Sequence, residues 1–288
     1  MPKLRISIVQ YLNTAPLVLG FTKGPLGGKY DLSFSVPSQC ADALRNGAVD
    51  IAILPAIELQ RIPDLVVLPD LAIASKRRVR SLLLVAKKPI REIKRIALDR
   101  SSRSTQALTR ILCAKHWRIT PEFLEADPNL PAMLRSADAA LLIGDPALRL
   151  SISGMNELAE LELKRNGAGL HVHDIVEEWR SMTGLPAVLA VWAGRSNVVT
   201  PDVCADFAAS RDYGLQHLEE ICAQSTAQLR LPKEALRNYL KKNIDYSLDQ
   251  ENLLGLQSFF EYSAALRLIG PVQPIRMAHT AATLSEST

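Results

Sequence analysis

The sequence predicts an α/β protein built as two lobes, and three observations predict it. The chain has 288 residues, which at roughly 100–200 residues per domain makes two domains. Short apolar segments alternate with helical ones up to Arg195, the rhythm of strand, crossover helix and parallel strand. After Arg195 that pattern stops and only helical stretches remain.

Taken in order, residues 4–9 form a short strand and 14–20 a short helix. Residues 31–36 alternate apolar and polar side chains, as a strand with one covered face does. Pro37 and Ser38 open a helix, with Ser38 as its N-cap and Gly47 as its stop. Residues 50–54 are almost wholly apolar, which suits a strand covered on both faces. Residues 81–86 and 94–98 are further strands, separated by a charged connector. A Ser/Arg/Thr turn then leads into a helix over 104–116. Residues 139–143 are a strand ended by Gly144-Asp145-Pro146, and 185–192 form the last strand. Helices follow over 201–228, 232–242 and 249–268; in the first, Val203, Phe207, Leu215, Leu218 and Cys222 recur at helical spacing. We place the lobe crossings near 88–91 and 193–195, so that 1–90 with 194–288 make lobe 1 and 91–193 make lobe 2. The tail beyond Pro271 is polar and expected to be loosely held.

Composition narrows the function. The net charge is +4, and neither a zinc-finger spacing nor a long basic tail points to nucleic acid. One basic cluster, Lys76, Arg77, Arg78 and Arg80, reads either as a solvated loop or as an attractor for an anionic substrate. The four cysteines form no C-x-x-C pair and read as buried free thiols. The apolar stretch within residues 1–9 is too short for a signal peptide, and no run of about 18 apolar residues occurs. These features predict no membrane span and a cytoplasmic location.

The segment with the most chemical content is the turn Asp99-Arg100-Ser101-Ser102-Arg103-Ser104-Thr105. Free backbone N–H groups at a helix start favour an anion. Ser102, Ser104 and Thr105 add hydroxyl donors and Arg103 adds charge. The plain alternative is helix capping. A second segment, 11–17, follows the first strand and places Asn13 where ligands bind in open α/β sheets. An amide orients or polarises and does not titrate, and the alternative for Asn13 is a turn residue. Ser81 opens a strand, and Gly144 and Asp145 end one, with N-capping the plain reading of Asp145. His171 and His173 share a strand face but lack a third metal ligand beyond Asp174, so no metal is expected. Trp179 and Trp192 read as core. Gly-x-Ser-x-Gly, His-Glu-x-x-His and Gly-x-Gly-x-x-Gly are all missing, which argues against a serine hydrolase, a zincin and a dinucleotide enzyme.

Several segments together resemble the chorismate dehydratases of the futalosine route to menaquinone. They are Tyr11-Leu12-Asn13-Thr14-Ala15-Pro16-Leu17, Val49 through Pro55, Val79-Arg80-Ser81-Leu82-Leu83-Leu84, Leu98 through Thr105, Leu142 through Leu148, and Thr183-Gly184-Leu185-Pro186 up to Ala190-Val191-Trp192. The Ser-Arg-Ser-Thr run departs from the family's Ser-Arg-Thr-Ser, although both orders keep the donors. The resemblance implies a type II periplasmic-binding-protein-like fold with the ligand cleft between its lobes. It implies loss of water from chorismate, a small-molecule substrate, with no cofactor. It assigns Asn13 to catalysis and Ser81, Ser102, Arg103, Ser104, Thr105, Gly144 and Asp145 to substrate binding. A sibling enzyme, 1,4-dihydroxy-6-naphthoate synthase, carries a Ser-Pro-Cys-Pro-Asn-Asp-like signature that this chain lacks. A non-catalytic solute receptor is the alternative of another class.

Overall fold

The computed structural model describes residues 3–154 and 169–279. It holds two five-stranded sheets. The first joins β1 (Arg5–Val9), β2 (Asp31–Ser35), β3 (Ile51–Pro55) and β4 (Leu65–Ser75) to a late strand, β10 (Ala187–Arg195), in the order β2-β1-β3-β10-β4. The second joins β5 (Leu82–Ala86), β6 (Arg95–Asp99), β7 (Glu122–Ala126), β8 (Ala139–Ile143) and β9 (His171–Asp174) in the order β7-β6-β8-β5-β9.

Each sheet has one reversed strand, and the reason is topological. β10 runs antiparallel to β3 and β4, and β5 runs antiparallel to β8 and β9. Both strands enter their sheet directly from the other lobe, at the edge where the neighbouring strands end. A strand that starts at that edge must run away from it. The carboxyl ends of the other strands therefore face each other across one cleft, the position that binds ligands in open α/β sheets.

Helices cover the sheets. They are α1 (Ala15–Thr22), α2 (Pro37–Arg45), α3 (Arg103–Ile111), α4 (Leu130–Ser136), α5 (Gly144–Ser153), α6 (Ile175–Thr183), α7 (Pro201–Gln216), α8 (Leu218–Leu229), α9 (Lys233–Asn238) and α10 (Gln250–Ala265). β3, β5 and β8 are buried along their whole length, as their unbroken apolar sequences require. Trp179 and Trp192 are fully buried in the core, and all four cysteines are buried and free.

The structure corrects several expectations. The crossings fall at 76–81 and 175–186 in place of 88–91 and 193–195, because β5 hydrogen-bonds within the second sheet and β10 within the first. Ser38 lies inside α2; the cap position is Val36, and Pro37 takes the first turn, where its missing N–H costs nothing. The helical stretch 201–228 is two helices, broken at His217, which leaves Leu215 exposed. The tail is tied down as far as it is described. Val67 N–H donates to Arg276 O at 2.8 Å and Ala278 N–H to Val67 O at 2.9 Å, which extends the edge of β4. Two strands and three helices were not expected from the sequence: β4, β7, α4, α5 and α6.

α1 packs against α7 so closely that Gly214 faces the Pro16 carbonyl, where a Cβ would lie 1.9 Å from its oxygen. Gly214→Ala must push the helices apart, and overpacking of this kind costs about 1–3 kcal/mol. Gly270→Ala, with no heavy atom within 4 Å of its new methyl, should stay within about 0.5 kcal/mol of the parent. Urea denaturation of the pair checks this.

Candidate functional site

The cleft between the facing sheet edges narrows to a small cavity lined from both lobes. Lobe 1 supplies Tyr11, Asn13, Pro37, Pro55, Ile73 and Leu189; lobe 2 supplies Leu82, Ser102, Ser104, Thr105 and Gly144. The lining is apolar apart from the Tyr11 hydroxyl, one amide and three hydroxyls. Asn13 is 9% exposed, Ser102 5%, and Ser104 and Thr105 2% each, so a ligand enters only when the lobes part.

Lobe 2 brings the start of α3 to the cavity. β6 delivers Asp99, whose carboxylate Oδ1 accepts from the Ser101 N–H at 3.0 Å and its hydroxyl at 2.6 Å, holding the turn tight. Ser102 occupies the cap position yet makes no side-chain cap bond. The capping reading fails for Ser102: its hydroxyl stands at the cavity wall together with the first N–H groups of α3. Ser104 has a second task, because its Oγ accepts from the Ile57 N–H of lobe 1 at 3.2 Å.

Lobe 1 brings Asn13 on a short 3-10 turn, Leu12–Thr14, that follows β1. Its Oδ1 accepts weakly from the Thr14 hydroxyl at 3.4 Å. The residue that joins Asn13 to Ser81 comes from the C-terminal helices. Tyr239, fully buried, donates its hydroxyl to Ser81 Oγ at 2.9 Å and also interacts with the Asn13 side chain. Burial raises the Tyr239 pKa, which keeps the phenol neutral and a donor. Nothing in the sequence singles Tyr239 out, because it sits in a helical stretch with no motif. The signal that finds it is contact across 158 positions of sequence.

The other expected site residues divide. Gly144 lines the cavity with a left-handed backbone, φ +66°, and the Tyr11 ring packs on its Cα, where a Cβ would meet the ring at 2.6 Å. Only glycine fits both demands. Burial pushes the Tyr11 hydroxyl up to about 12. Asp145 sits in the first turn of α5 without capping it, and its Oδ1 accepts the Leu12 N–H at 3.0 Å across the cleft. Its carboxyl faces a neighbouring groove along α1 and α8 and does not line the cavity. Arg103 also points elsewhere. It pairs with Asp42 at 2.8 Å and Glu58 at 3.2 Å on lobe 1, a latch between lobes in place of a clamp on the cavity.

Two members of the basic cluster are likewise engaged. Lys76 pairs with Asp249 at 2.5 Å and Glu251 at 3.1 Å, and Arg78 lies 3.7 Å from Asp174. His173 contacts Glu178 at 3.0 Å, and His116 meets the same carboxylate at 3.1 Å. Asp174 caps α6, so it serves the backbone and not a metal. No group of three metal-ligating side chains occurs among the described residues, and no helix among them is long and apolar enough to cross a membrane.

Two sheets whose carboxyl edges close over a buried, mostly neutral cavity define a protein of the periplasmic-binding-protein type. Solved structures agree on the fold. A protein from Archaeoglobus fulgidus, 18% identical, superposes with a TM-score of 0.73 over 93% of this chain and 98% of its own. A Candida albicans protein described as having the generic periplasmic binding protein fold, 13% identical, superposes at 0.65 over 99% of this chain and 100% of its own. Within that fold the sequence is more particular. The profile of the menaquinone biosynthesis family matches residues 4–265, and the chain belongs to that family. A chorismate dehydratase of Thermus thermophilus is 29% identical over 260 residues, covering 89% of this chain and 93% of the relative.

Burial raises the Asp145 pKa to about 6, against the opposing effect of the Leu12 N–H. A carboxyl raised on folding stabilises the fold below its unfolded pKa, near 3.8, and that contribution is lost as pH rises through about 6. Asp145→Asn keeps an acceptor for Leu12 without a titrating proton. Its melting temperature relative to the parent should therefore rise between pH 4 and pH 7; a constant difference across that range would contradict the shift.

Proposed function

We propose that this protein is a chorismate dehydratase, a hydro-lyase that removes water from chorismate to give 3-[(1-carboxyvinyl)oxy]benzoate in menaquinone biosynthesis by the futalosine route, working in the cytoplasm. The observation that carries the reading is the family match over residues 4–265, together with the 29% identical dehydratase along most of the chain.

The chemistry suits the cavity. Chorismate loses a ring proton at the ether-bearing carbon and the neighbouring hydroxyl, and the ring becomes aromatic, so the drive belongs to the substrate. No His, Glu or Lys lines the cavity. On our reading the enolpyruvyl carboxylate of the substrate takes the proton, and the protein holds the reactive conformer, an orientation effect. Asn13 hydrogen-bonds beside the reacting groups, Ser81 and Tyr239 set its position, and the Ser102–Thr105 turn receives a carboxylate on its free N–H groups and hydroxyls. Arg103 and Asp145 act through closure. Closed lobes keep bulk water from the reacting face.

Incubation of the purified protein with chorismate, followed by mass analysis, tests the assignment. The expected product is lighter by one water, and its rate is unchanged by a chelator. Binding without product would make the protein a receptor, and strong loss on chelation with recovery on zinc would return attention to His171 and His173.

Asn13→Ala should lower turnover ~10²–10³-fold, the usual worth of one well-placed donor, with a much smaller change in chorismate affinity. Tyr239→Phe removes one buried hydrogen bond, worth about 1 kcal/mol. It should lower kcat roughly fivefold with KM held. Single-turnover kinetics separate the two; an Asn13→Ala effect below about threefold would take Asn13 out of the mechanism.

A further inference from the structure

A second hollow, open to solvent, lies along α3 outside the cleft cavity. Its walls carry five arginines, Arg61, Arg100, Arg103, Arg110 and Arg267, against one carboxylate, Glu125. Three of the five have partners: Arg61 meets Glu58 at 3.0 Å, Arg100 meets Asp127 at 3.2 Å, and Arg103 meets Asp42 and Glu58. Arg110 and Arg267 make no ion pair with any described residue. Arg110 is half-buried, its guanidinium 4.2 Å over the Phe123 ring. Desolvation pushes its pKa down, opposed only in part by the field of Glu125. A partly buried cation with no carboxylate in direct contact is costly to keep, and this one faces an open hollow already rich in guanidinium forks. A guanidinium has five N–H donors, so the paired arginines retain donors for a ligand.

The unpaired cations come from opposite lobes. Arg110 lies on α3 in lobe 2, and Arg267 follows α10, which packs mainly on β10 and residues 56–60 of lobe 1 and also touches α3. One anionic centre would satisfy one of them; two linked centres satisfy both. Arginine forks match phosphate oxygens in pairs. We propose that this hollow binds a diphosphate group, free or nucleoside-borne, bridging the two lobes. The site is separate from the cleft cavity, with which it shares no lining residue. Because both lobes supply cations, its occupant binds the closed form better and shifts the population toward it.

Titration calorimetry with inorganic pyrophosphate on the full chain tests this, with ADP run alongside. One site per chain is expected. Arg110→Lys and Arg267→Glu should each weaken pyrophosphate at least tenfold, with melting temperature unchanged; Arg267 is exposed, so its variant folds even if that at Arg110 does not. Ser102→Ala should leave pyrophosphate affinity as it is. Tighter binding of ADP than of pyrophosphate assigns the site to a nucleoside diphosphate, and the reverse to the free ion. No heat at millimolar pyrophosphate, parent-like binding by the Arg267→Glu variant, displacement by chorismate, or tighter binding of malonate than of either phosphate ligand would each overturn the proposal.

Discussion

The structure depends on how the two lobes hold each other across the first turn of α3. Three contacts do it there, and a fourth, from Leu12, does it at the start of α5. Ile57 N–H reaches Ser104 Oγ, Ser38 N–H reaches the Ser101 carbonyl at 3.0 Å, Leu12 N–H reaches Asp145, and Arg103 meets Asp42 and Glu58. Net hydrogen bonds are worth about 0.5–1.5 kcal/mol each. The set therefore amounts to a few kcal/mol, the scale on which a ligand shifts a two-state population. The residues that close the lobes alternate along the chain with those that line the cavity: Ser101 and Arg103 latch, Ser102 and Thr105 face inward, and Ser104 does both. A substrate gripped by this turn is gripped only when the latches are made.

The crossing segments are held just as specifically. Residues 76–81 leave β4 for β5, and Asp174 fixes them by accepting the Val79 N–H at 3.3 Å and the Arg80 N–H at 2.6 Å while it caps α6 in the other crossing. Arg180 donates to the Lys76 carbonyl at 2.7 Å, and Asn243 to that of Arg78 at 2.9 Å. The two crossings are thus bonded to each other and to the C-terminal helices. Arg80 adopts a left-handed φ of +66° there, a conformation that costs about 1 kcal/mol or more for a residue with a side chain and that orients Ser81 toward Tyr239. The cluster that reads in sequence either as a solvated loop or as an attractor for an anion is the joint of the two lobes, where Lys76 ties it to α10 and Arg78 lies beside Asp174.

The sequence made the strands around the cleft legible because they are short, apolar and bounded by turn residues. β4 contains Pro69 and Asp70, which interrupt its apolar run. In the structure Asp70 has a φ of +57° within a strand whose pairing with β10 shifts register, and an edge strand tolerates proline. β7 is half exposed and carries Glu122 and Glu125 among its five residues, so alternation gave no apolar run to find. Asn13 and the Ser102–Thr105 turn were legible from their place at strand ends. The actual directions of Arg103 and Asp145 were not, because the partners that claim them, Asp42, Glu58 and Leu12, lie far along the chain in the opposite lobe. Local sequence shows which groups reach a cleft edge. It does not show which of them the other lobe has already engaged.

That division bears on the chemistry. The groups left facing the cavity are an amide, aliphatic hydroxyls, a phenol and backbone N–H donors, none of which titrates near neutrality. The nearby carboxyls are withdrawn from it. Asp99 is fully buried under its turn, with Oδ2 unpartnered and its pKa raised by burial, and Asp145 is spent on Leu12. An ionised carboxylate at the wall would repel a dianionic substrate, and a buried lysine would need a partner of its own. Neutral donors avoid both costs: they accept the substrate's charges without competing for its proton. On the proposed reaction this leaves the substrate's own enolpyruvyl carboxylate as the strongest base in the closed cavity, so the protein contributes by fixing where that carboxylate points.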